Sequence, residues 1–163
     1  MSRLEEYKNK RHFDKTPEPA AEIGEAGSVL SFVVQKHAAR SLHYDFRLEF
    51  EGVLMSWAVP KGPSMDPSVK RLAVHVEDHP LSYGSFEGDI PKGEYGAGHV
   101  EIWDSGAWLP LHDVNEMMKK GELKFLLAGE KLQGGFALIK FKSDEDNWLL
   151  IKEKDEFAEQ EHE

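Results

Sequence analysis

Residues 43–50, HYDFRLEF, alternate polar and apolar side chains without a break. Successive side chains of a β-strand point to opposite faces, so this pattern is typical of a strand with one polar and one apolar face. His43, Asp45 and Arg47 would share the polar face, with aromatic and aliphatic side chains on the other. The segment therefore commits this part of the chain to a β-sheet with a chemically distinctive face.

Strand patterns recur along most of the chain between short turn signals. Glu51-Gly52 predicts a tight turn after the HYDFRLEF strand and hence a hairpin. The one convincing internal helix runs from Asp113 to Lys120, with a capping aspartate at its start and Gly121 at its end. Seven or eight short strands with one or two helices predict a mainly β fold, a compact antiparallel β-barrel. The predicted strands are residues 28–35, 43–50, 53–59, 71–77, 99–108, 123–129, 134–141 and 147–152.

The apolar face of each strand is expected to pack in the core of this barrel. The strand RLAVHVE, residues 71–77, would do so with Leu72, Val74 and Val76. The Asp-His-Pro that follows predicts the end of that strand, because proline cannot donate to a ladder. The polar face of the HYDFRLEF strand is then expected to line a pocket or groove.

The length of 163 residues suits a single domain with loose ends. Two prolines and two glycines in residues 14–28 favour an extended segment, so residues 1–27 are predicted to form an N-terminal arm. Residues 28–152 would form the barrel. The acidic residues 153–163 are predicted to be a flexible tail.

Composition excludes several classes of site. Without cysteine the chain has no disulfide, Cys-based zinc site or Cys nucleophile, so histidines and carboxylates must hold any metal. No run of 18 apolar residues and no apolar leader is present, which predicts a cytoplasmic protein without a membrane span. The net charge of −10 argues against a broad footprint for nucleic acid. All five arginines nevertheless lie before residue 72, which leaves room for a local anion site.

A constellation of histidines surrounds the polar strand face. His37 lies six residues before His43, and His79 closes a nearby strand. Two imidazoles with one carboxylate suit manganese, iron or zinc and leave positions open for water and substrate. An arginine such as Arg47 neutralises phosphate charge, and a histidine serves as general acid. The H-x-D pair of His43 and Asp45 is a weak signal alone, and the whole set makes a metal site about as well supported as a structural role for the histidines.

Long stretches around these residues resemble a known family. FVVQKHAARSLHYDFRLEFEGVLMSWAVPKGPS, residues 32–64, closely resembles the 3′-phosphoesterase domain of the bacterial ATP-dependent DNA ligase D. Further matches are RHFDKTPEP (11–19), RLAVHVEDHPLSYGSFEG (71–88) and IPKGEYGAGHVEIWDSGAW (90–108). The resemblance covers about residues 8 to 152, nearly the whole chain.

The resemblance implies a β-barrel enzyme that heals DNA 3′ ends with manganese, and with cobalt or zinc as alternative metals. It implies removal of a 3′-terminal ribonucleoside from a primer–template or duplex end, which leaves a 3′-phosphate. The same site would then remove that phosphate and leave a 3′-OH for end-joining repair. A DNA ligase, polymerase or end-binding protein would be its partner in trans.

Position by position, the resemblance makes His37, Asp45 and His79 the metal ligands. It places His43 and Arg47 on the scissile phosphate. The family's arm carries an acidic residue, thought to support the diesterase step, where this chain has His12. Other positions that the family uses in or near its active site, partly on the arm, correspond to Arg11, Glu18, Gln35, Lys61, Arg71 and Tyr83.

Two other interpretations remain open at this point. An iron oxygenase with a 2-His-1-carboxylate triad would use His43, Asp45 and a distal histidine such as His99. Oxoacid-using members of that class need a basic anchor beyond the distal histidine, and no arginine follows Arg71. The other interpretation is a non-catalytic β-barrel that binds nucleic-acid ends, in which the histidines are structural and no metal is required.

Overall fold

The computed structural model describes residues 3–21, 29–142 and 146–160. Parts of the predicted arm and tail, and the start of the first predicted strand, lie outside these ranges. The described ranges hold nine strands and two short α-helices. The elements are α1 (Glu5–Asn9), β1 (Ser31–Ala38), β2 (Leu42–Phe50), β3 (Val53–Val59), β4 (Lys70–Pro80), β5 (Gly88–Ile90), β6 (Gly98–Pro110), α2 (Val114–Lys120), β7 (Glu122–Gly129), β8 (Gln133–Lys140) and β9 (Asn147–Lys152).

Eight strands close into an antiparallel barrel in the order β1-β2-β3-β4-β9-β8-β7-β6, and β6 pairs back with β1. The ninth strand, β5, lies outside this ring and pairs with the first residues of β6. Closure leaves no unpaired edge among the eight strands. The predicted mainly β fold and antiparallel barrel are confirmed.

The barrel interior is filled by one face of each strand. On β2 this is the predicted apolar face, where Phe46 and Leu48 are fully buried and the ring of Phe46 lies 6.0 Å from that of Phe125. Trp57 and Trp148 fill the other side of the interior, 5.7 Å apart and edge to face. Each such side chain contributes roughly 1.5–3 kcal/mol when it leaves water.

The prediction of which face of β4 packs into the core was wrong. Leu72 is 41% exposed, and Val76 lines an outer cavity instead of the core. Ala73 is the residue of β4 that packs inside, where it pairs with Trp148 of β9. The indole of Trp57 also occupies this side of the interior, so a small side chain fits where valine or leucine would not.

An irregularity in β4 carries the strand past its predicted end. The register with β3 shifts between the Leu54–His79 pair and the Ser56–Val76 pair, which is a β-bulge. The extra residue brings Val76 and His79 to the same outer face despite their odd spacing. Bulges of this kind re-aim side chains next to sites.

The outer face of β1 to β3 is covered by the arm and by the chain between β4 and β6. A second apolar cluster forms there, in which Tyr7 of α1 packs against Leu54 of β3 and against Tyr83. Tyr83 lies in a single 3₁₀ turn, Leu81–Ser85. The hydroxyl of Tyr7 donates to the carbonyl of Pro19, which holds the arm against itself. These strands are therefore buried on both faces.

The two helices follow their sequence signals. The carboxylate of Asp113 accepts a hydrogen bond from the amide of Glu116, and Gly121 ends α2 in the left-handed conformation. In the N-terminal arm the five residues Glu5–Asn9 form α1. In the described ranges no helix is long and apolar enough to cross a membrane.

The first part of the acidic tail lies against the barrel. Asp155 accepts hydrogen bonds from the ammonium of Lys152 at 2.6 Å and from the amide of Gly135 at 2.8 Å. The amide of Glu159 donates to the carbonyl of Met65. These contacts dock residues 153–160, and the flexibility of the tail stays a prediction.

Candidate active site

A cavity of about 280 Å³ opens on the outer face of the barrel, between β2, β4, the arm and the chain before β6. Eight of the eleven predicted site residues line it together. Among the others, Gln35 lies buried behind the cavity wall, while Lys61 and Arg71 lie outside the lining. The eight lining residues are Arg11, Glu18, His37, His43, Asp45, Arg47, His79 and Tyr83.

The carboxylate of Asp45 is the centre of a three-residue cluster. Its Oδ2 lies 3.4 Å from Nδ1 of His37, and its Oδ1 lies 3.3 Å from Nε2 of His43. One nitrogen or oxygen of each residue lies within 4.8 Å of the others. Pairing of β1 with β2 places His37 directly opposite His43, which explains why the two rings meet.

Backbone carbonyls orient both imidazoles of this cluster. Nε2 of His37 lies 2.7 Å from the carbonyl oxygen of Gly96, and Nδ1 of His43 lies 3.2 Å from that of Ser41. A neutral ring that donates to a carbonyl has its lone pair on the other nitrogen, which here faces Asp45. Without a metal, a protonated ring donates to Asp45 instead. With both rings neutral, a cation between the two lone pairs and the carboxylate would stabilise the contact. The donor set therefore fits a divalent transition metal with positions open to the cavity.

The charges around Asp45 keep it ionised. Burial alone would raise the pKa of Asp45, but the charge of Arg47 and hydrogen bonds from His37 and His43 hold it well below its usual value. Burial likewise lowers the pKa of His43, and Asp45 more than reverses this, so the pKa lies above its ordinary value. A charged carboxylate is what a metal ligand needs.

Arg47 is buried and held by contacts on three sides. Its Nε donates to Oε1 of Gln35 at 2.6 Å, and its Nη1 donates to Oγ of Ser56 at 2.8 Å. Its Nη2 lies 3.4 Å from Asp45. Gln35 in turn donates to the carbonyl of Tyr83 at 2.7 Å, so it positions the arginine and links two walls of the cavity.

His79 lines the same cavity as the three-residue cluster but makes its own contacts. Its Nδ1 is 2.9 Å from the carbonyl of Glu77, and its Nε2 is 3.3 Å from Nη2 of Arg11. Burial, and then the charges of Arg47 and Arg11, place the pKa of His79 well below its usual value, so its ring is neutral. Its free lone pair already accepts from an arginine, unlike those of the other two histidines.

Residues of the arm complete the far wall. Arg11 donates through Nε to Glu18 at 2.9 Å and through Nη1 to Glu77 at 3.2 Å. The hydroxyl of Tyr83 donates to the same oxygen of Glu18 at 2.7 Å. Burial raises the pKa of Tyr83, so this hydroxyl keeps its proton. The carboxylates hold Arg11 in place while one edge faces the cavity.

Several other sequence predictions fall away from the cavity. Lys61 lies exposed in the loop after β3, and Nε of Arg71 donates to the carbonyl of Gly62 at 3.0 Å. His12 is 70% exposed and pairs with Glu94 at 3.2 Å. The oxygenase triad is not assembled, because Nδ1 of His99 pairs with Asp89 on the surface at 2.9 Å.

Sequence reasoning missed three residues that shape the site. Ser56 was visible as the polar residue within the apolar strand VLMSWAV, and Glu77 as the acid next to Val76. Gly96 left no signal beyond its glycine-rich loop. Its φ of +75° suits glycine, and a Cβ there would lie 3.4 Å from Cε1 of His37.

Known proteins match this arrangement over nearly all of the chain. A model of the DNA ligase D 3′-phosphoesterase domain matches residues 35–140. The multifunctional non-homologous end joining protein LigD of Pseudomonas aeruginosa is 56% identical over 156 residues, which cover 93% of this chain and 19% of that protein. The protein of the same name from Mycolicibacterium smegmatis is 47% identical over 161 residues, covering 94% and 21%. This chain thus spans about a fifth of these curated relatives, and it belongs to the DNA ligase D 3′-phosphoesterase domain family.

Proposed function

We propose that this protein is a metal-dependent phosphoesterase that processes the 3′ ends of DNA in end-joining repair. The observation that carries the proposal is one cavity in which two imidazoles, a carboxylate and two buried arginines face each other. Metal ligands beside arginines are the equipment for binding and cleaving a phosphate ester. Membership of the phosphoesterase family supports the same conclusion.

We assign the metal to His37, His43 and Asp45 in preference to the set that the resemblance implied, His37, Asp45 and His79. In the first set both ring lone pairs face the carboxylate, within 3.4 Å. The lone pair of His79 instead accepts from Arg11. Manganese is the expected ion, and cobalt and zinc suit the same donors. A bound ion would polarise a phosphate oxygen.

Charge explains why the metal is needed for binding. With neutral histidines, the ionised residues of the cavity lining are two arginines and three carboxylates, a net charge of −1. A divalent cation changes this to +1, so phosphate is attracted only once the ion is present. The ionised lining residues are Arg11, Arg47, Glu18, Asp45 and Glu77.

In the proposed reaction Arg47 binds the phosphate and stabilises the negative charge that develops on it. Gln35 and Ser56 fix its guanidinium before substrate arrives, so little reorganisation is required. Arg11, which donates to His79, would also donate to the phosphate. When an arriving phosphate takes the Nη2 hydrogen of Arg11, the lone pair on Nε2 of the neutral His79 is released and can accept the proton of the attacking water.

The proposed substrates are primer–template or duplex ends that carry a 3′ ribonucleotide or a 3′-phosphate. The first step would release the terminal ribonucleoside, and the second would release phosphate and leave a 3′-OH. His12 stands at the position of the family's acidic residue, so the rate of the diesterase step tests the effect of this difference. A ligase, polymerase or end-binding protein would use the product.

The decisive experiment incubates the protein with a labelled primer–template that ends in one 3′ ribonucleotide, with Mn²⁺ or with EDTA. We expect conversion to a 3′-phosphate and then to a 3′-OH only with Mn²⁺. Asp45→Asn should abolish both steps while the fold is retained, and the surface variant Lys124→Gln should match wild type. Wild-type turnover by Asp45→Asn, or retained DNA binding without reaction by the wild type, would favour the non-catalytic barrel.

The ligand assignment has its own test. Calorimetric titration with Mn²⁺ should show lost binding for His43→Gln and affinity within about threefold of wild type for His79→Gln. The reverse pattern would restore the set that contains His79. Both variants should lose turnover, so the binding measurement separates a ligand from a residue that acts on the phosphate.

A further inference from the structure

Five cations gather at one end of the barrel, and we call them the basic rim. Three segments meet there, residues 36–44, 57–65 and 67–76. Asp66 separates the last two and Glu101 of β6 lies opposite Lys36, but the segments themselves contain no aspartate or glutamate. That is notable in a chain with 30 acidic residues. The residues of the basic rim are Lys36, Arg40, Lys61, Lys70 and Arg71.

Strand pairing brings these segments together. β2 begins where β1 ends, since His37 pairs with His43, and β3 ends there because Tyr44 pairs with Val59. β4 begins at the same end, where Nε of Arg71 donates to the carbonyl of Gly62. The rim residues therefore lie at the same end of the barrel although they are far apart in sequence.

The basic rim adjoins the cavity. Arg40 directly follows Ala39, a lining residue. Lys70 lies on the outer face of β4 together with Val74 and Val76, because alternate residues share a face. Val76 lines the cavity, and the six residue steps from Lys70 to Val76 span about 20 Å of strand. The cations thus extend from the side of the three-residue cluster toward the end of the barrel.

Three cations of the arm are paired with carboxylates of this chain. Arg3, Lys10 and Arg11 each pair with a carboxylate. Among the ion pairs between described residues, none involves Arg40, Lys61 or Lys70. These three cations can therefore contact a partner outside the chain.

We propose that the basic rim binds the sugar–phosphate backbone of the nucleic acid whose 3′ end occupies the cavity, with Arg40 and Lys70 as phosphate contacts. The inference rests on the proposed function. It adds the position of the substrate's sugar–phosphate backbone outside the cavity. A local cationic surface also explains how a chain of net charge −10 holds a polyanion. Lys61 and Arg71, expected from the sequence near the active site, act within the same surface.

The test is the salt dependence of DNA binding, measured by fluorescence anisotropy in EDTA with a labelled primer–template. The double variant Arg40→Gln/Lys70→Gln should bind about tenfold more weakly at low salt, and the slope of log affinity against log salt should fall by about two. Lys120→Gln/Lys124→Gln, which removes two exposed lysines from α2 and β7, should match wild type in both. Circular dichroism melts check that each variant is folded.

The two possible failures are distinguishable. An unchanged slope in a folded Arg40→Gln/Lys70→Gln variant overturns the inference while the wild type still processes 3′ ends. A wild type that neither binds nor processes DNA ends refutes the proposed function itself. Equal losses in the rim variant and the Lys120/Lys124 control would show that only total charge matters, and would also overturn the inference.

Discussion

The barrel has two unlike walls. The outer faces of β1, β2, β3 and the second half of β4 form a covered wall, buried under the arm and the chain between β4 and β6. The outer faces of β7 and β9 form an open wall, where buried and outward residues alternate. On the open wall the outward side chains are those solvent tolerates, such as Glu122, Lys124 and a 40% exposed Leu126.

The covered wall carries polar and charged groups where an ordinary core would be apolar. Gln35, Asp45, Arg47 and Ser56 are all buried, and each has partners. Buried ion pairs are poor stabilisers, because desolvation offsets their attraction. The difference between the walls teaches that the covered wall is built for chemistry and the open wall for closing the barrel.

Arg47→Met is expected to give the largest effect. It leaves Asp45 buried without its nearest permanent charge and removes the hydrogen bonds to Gln35 and Ser56. We expect a loss of about 3–5 kcal/mol in the free energy of unfolding and a fall of roughly 10²–10³-fold in turnover. Urea unfolding and phosphate release measure these. The same change at Lys124 of the open wall should cost under about 0.5 kcal/mol, and equal costs would break the comparison.

Gly96→Ala tests how the covered wall orients a metal ligand. Its Cβ would lie 3.4 Å from Cε1 of His37, whereas a Cβ at Gly93, also at positive φ, has no atom within 4 Å. Both alanines should cost about 1 kcal/mol through backbone strain. Only at Gly96 does the strained residue also hold His37, through its carbonyl oxygen at 2.7 Å. Only Gly96→Ala should therefore weaken Mn²⁺ binding, by roughly tenfold, measured by calorimetry. Similar Mn²⁺ affinity in the two variants would show that this contact does not orient His37.

The pH dependence of stability tests the burial of His79. Burial, helped by Arg47 and Arg11, lowers its pKa, so the unfolded chain binds a proton that the folded chain excludes. The free energy of unfolding should therefore fall as the pH drops below about 6.5, and His79→Gln should lose of order 1 kcal/mol less by pH 5. His43, with its raised pKa, acts in the opposite direction in both proteins and cancels. Parallel urea curves in EDTA for the two proteins from pH 7 to 5 would contradict this.

Leu126→Gln should give the smallest effect. The side chain is already 40% exposed, and its cross-strand neighbour Leu109 is exposed as well. We expect a change under about 0.5 kcal/mol in unfolding free energy and no change in Mn²⁺ affinity. Thermal melts and calorimetry check both. A large loss of unfolding free energy would mean that the outward side chains of the open wall also stabilise the fold.

Local pattern predicted much of the open wall and the central strands. β3 has the predicted limits, 53–59, and β2 turns its apolar side inward as its alternation indicates. The cap at Asp113 also formed as predicted. These features depend on neighbours within a few residues, which a sequence displays directly.

The covered wall needed more than local pattern. The segment around Val76 carries apolar residues whichever way it faces, so only its register with β3 decided which side is inside. The bulge that aims His79 outward leaves no mark in the sequence. The contact of Arg11 with His79 joins residues 68 positions apart and depends on how the arm crosses the barrel.

The sequence by itself determined a β-barrel with His43, Asp45 and Arg47 on one strand face, because side-chain alternation is a property of the extended chain. It also marked His37 and His79 as candidate partners. Only the tertiary structure decided which imidazoles present their lone pairs to Asp45, since that depends on carbonyls brought there by other segments. Strand pairing fixes the face to which each side chain points. Contacts between distant parts of the chain fix which imidazole nitrogen faces Asp45.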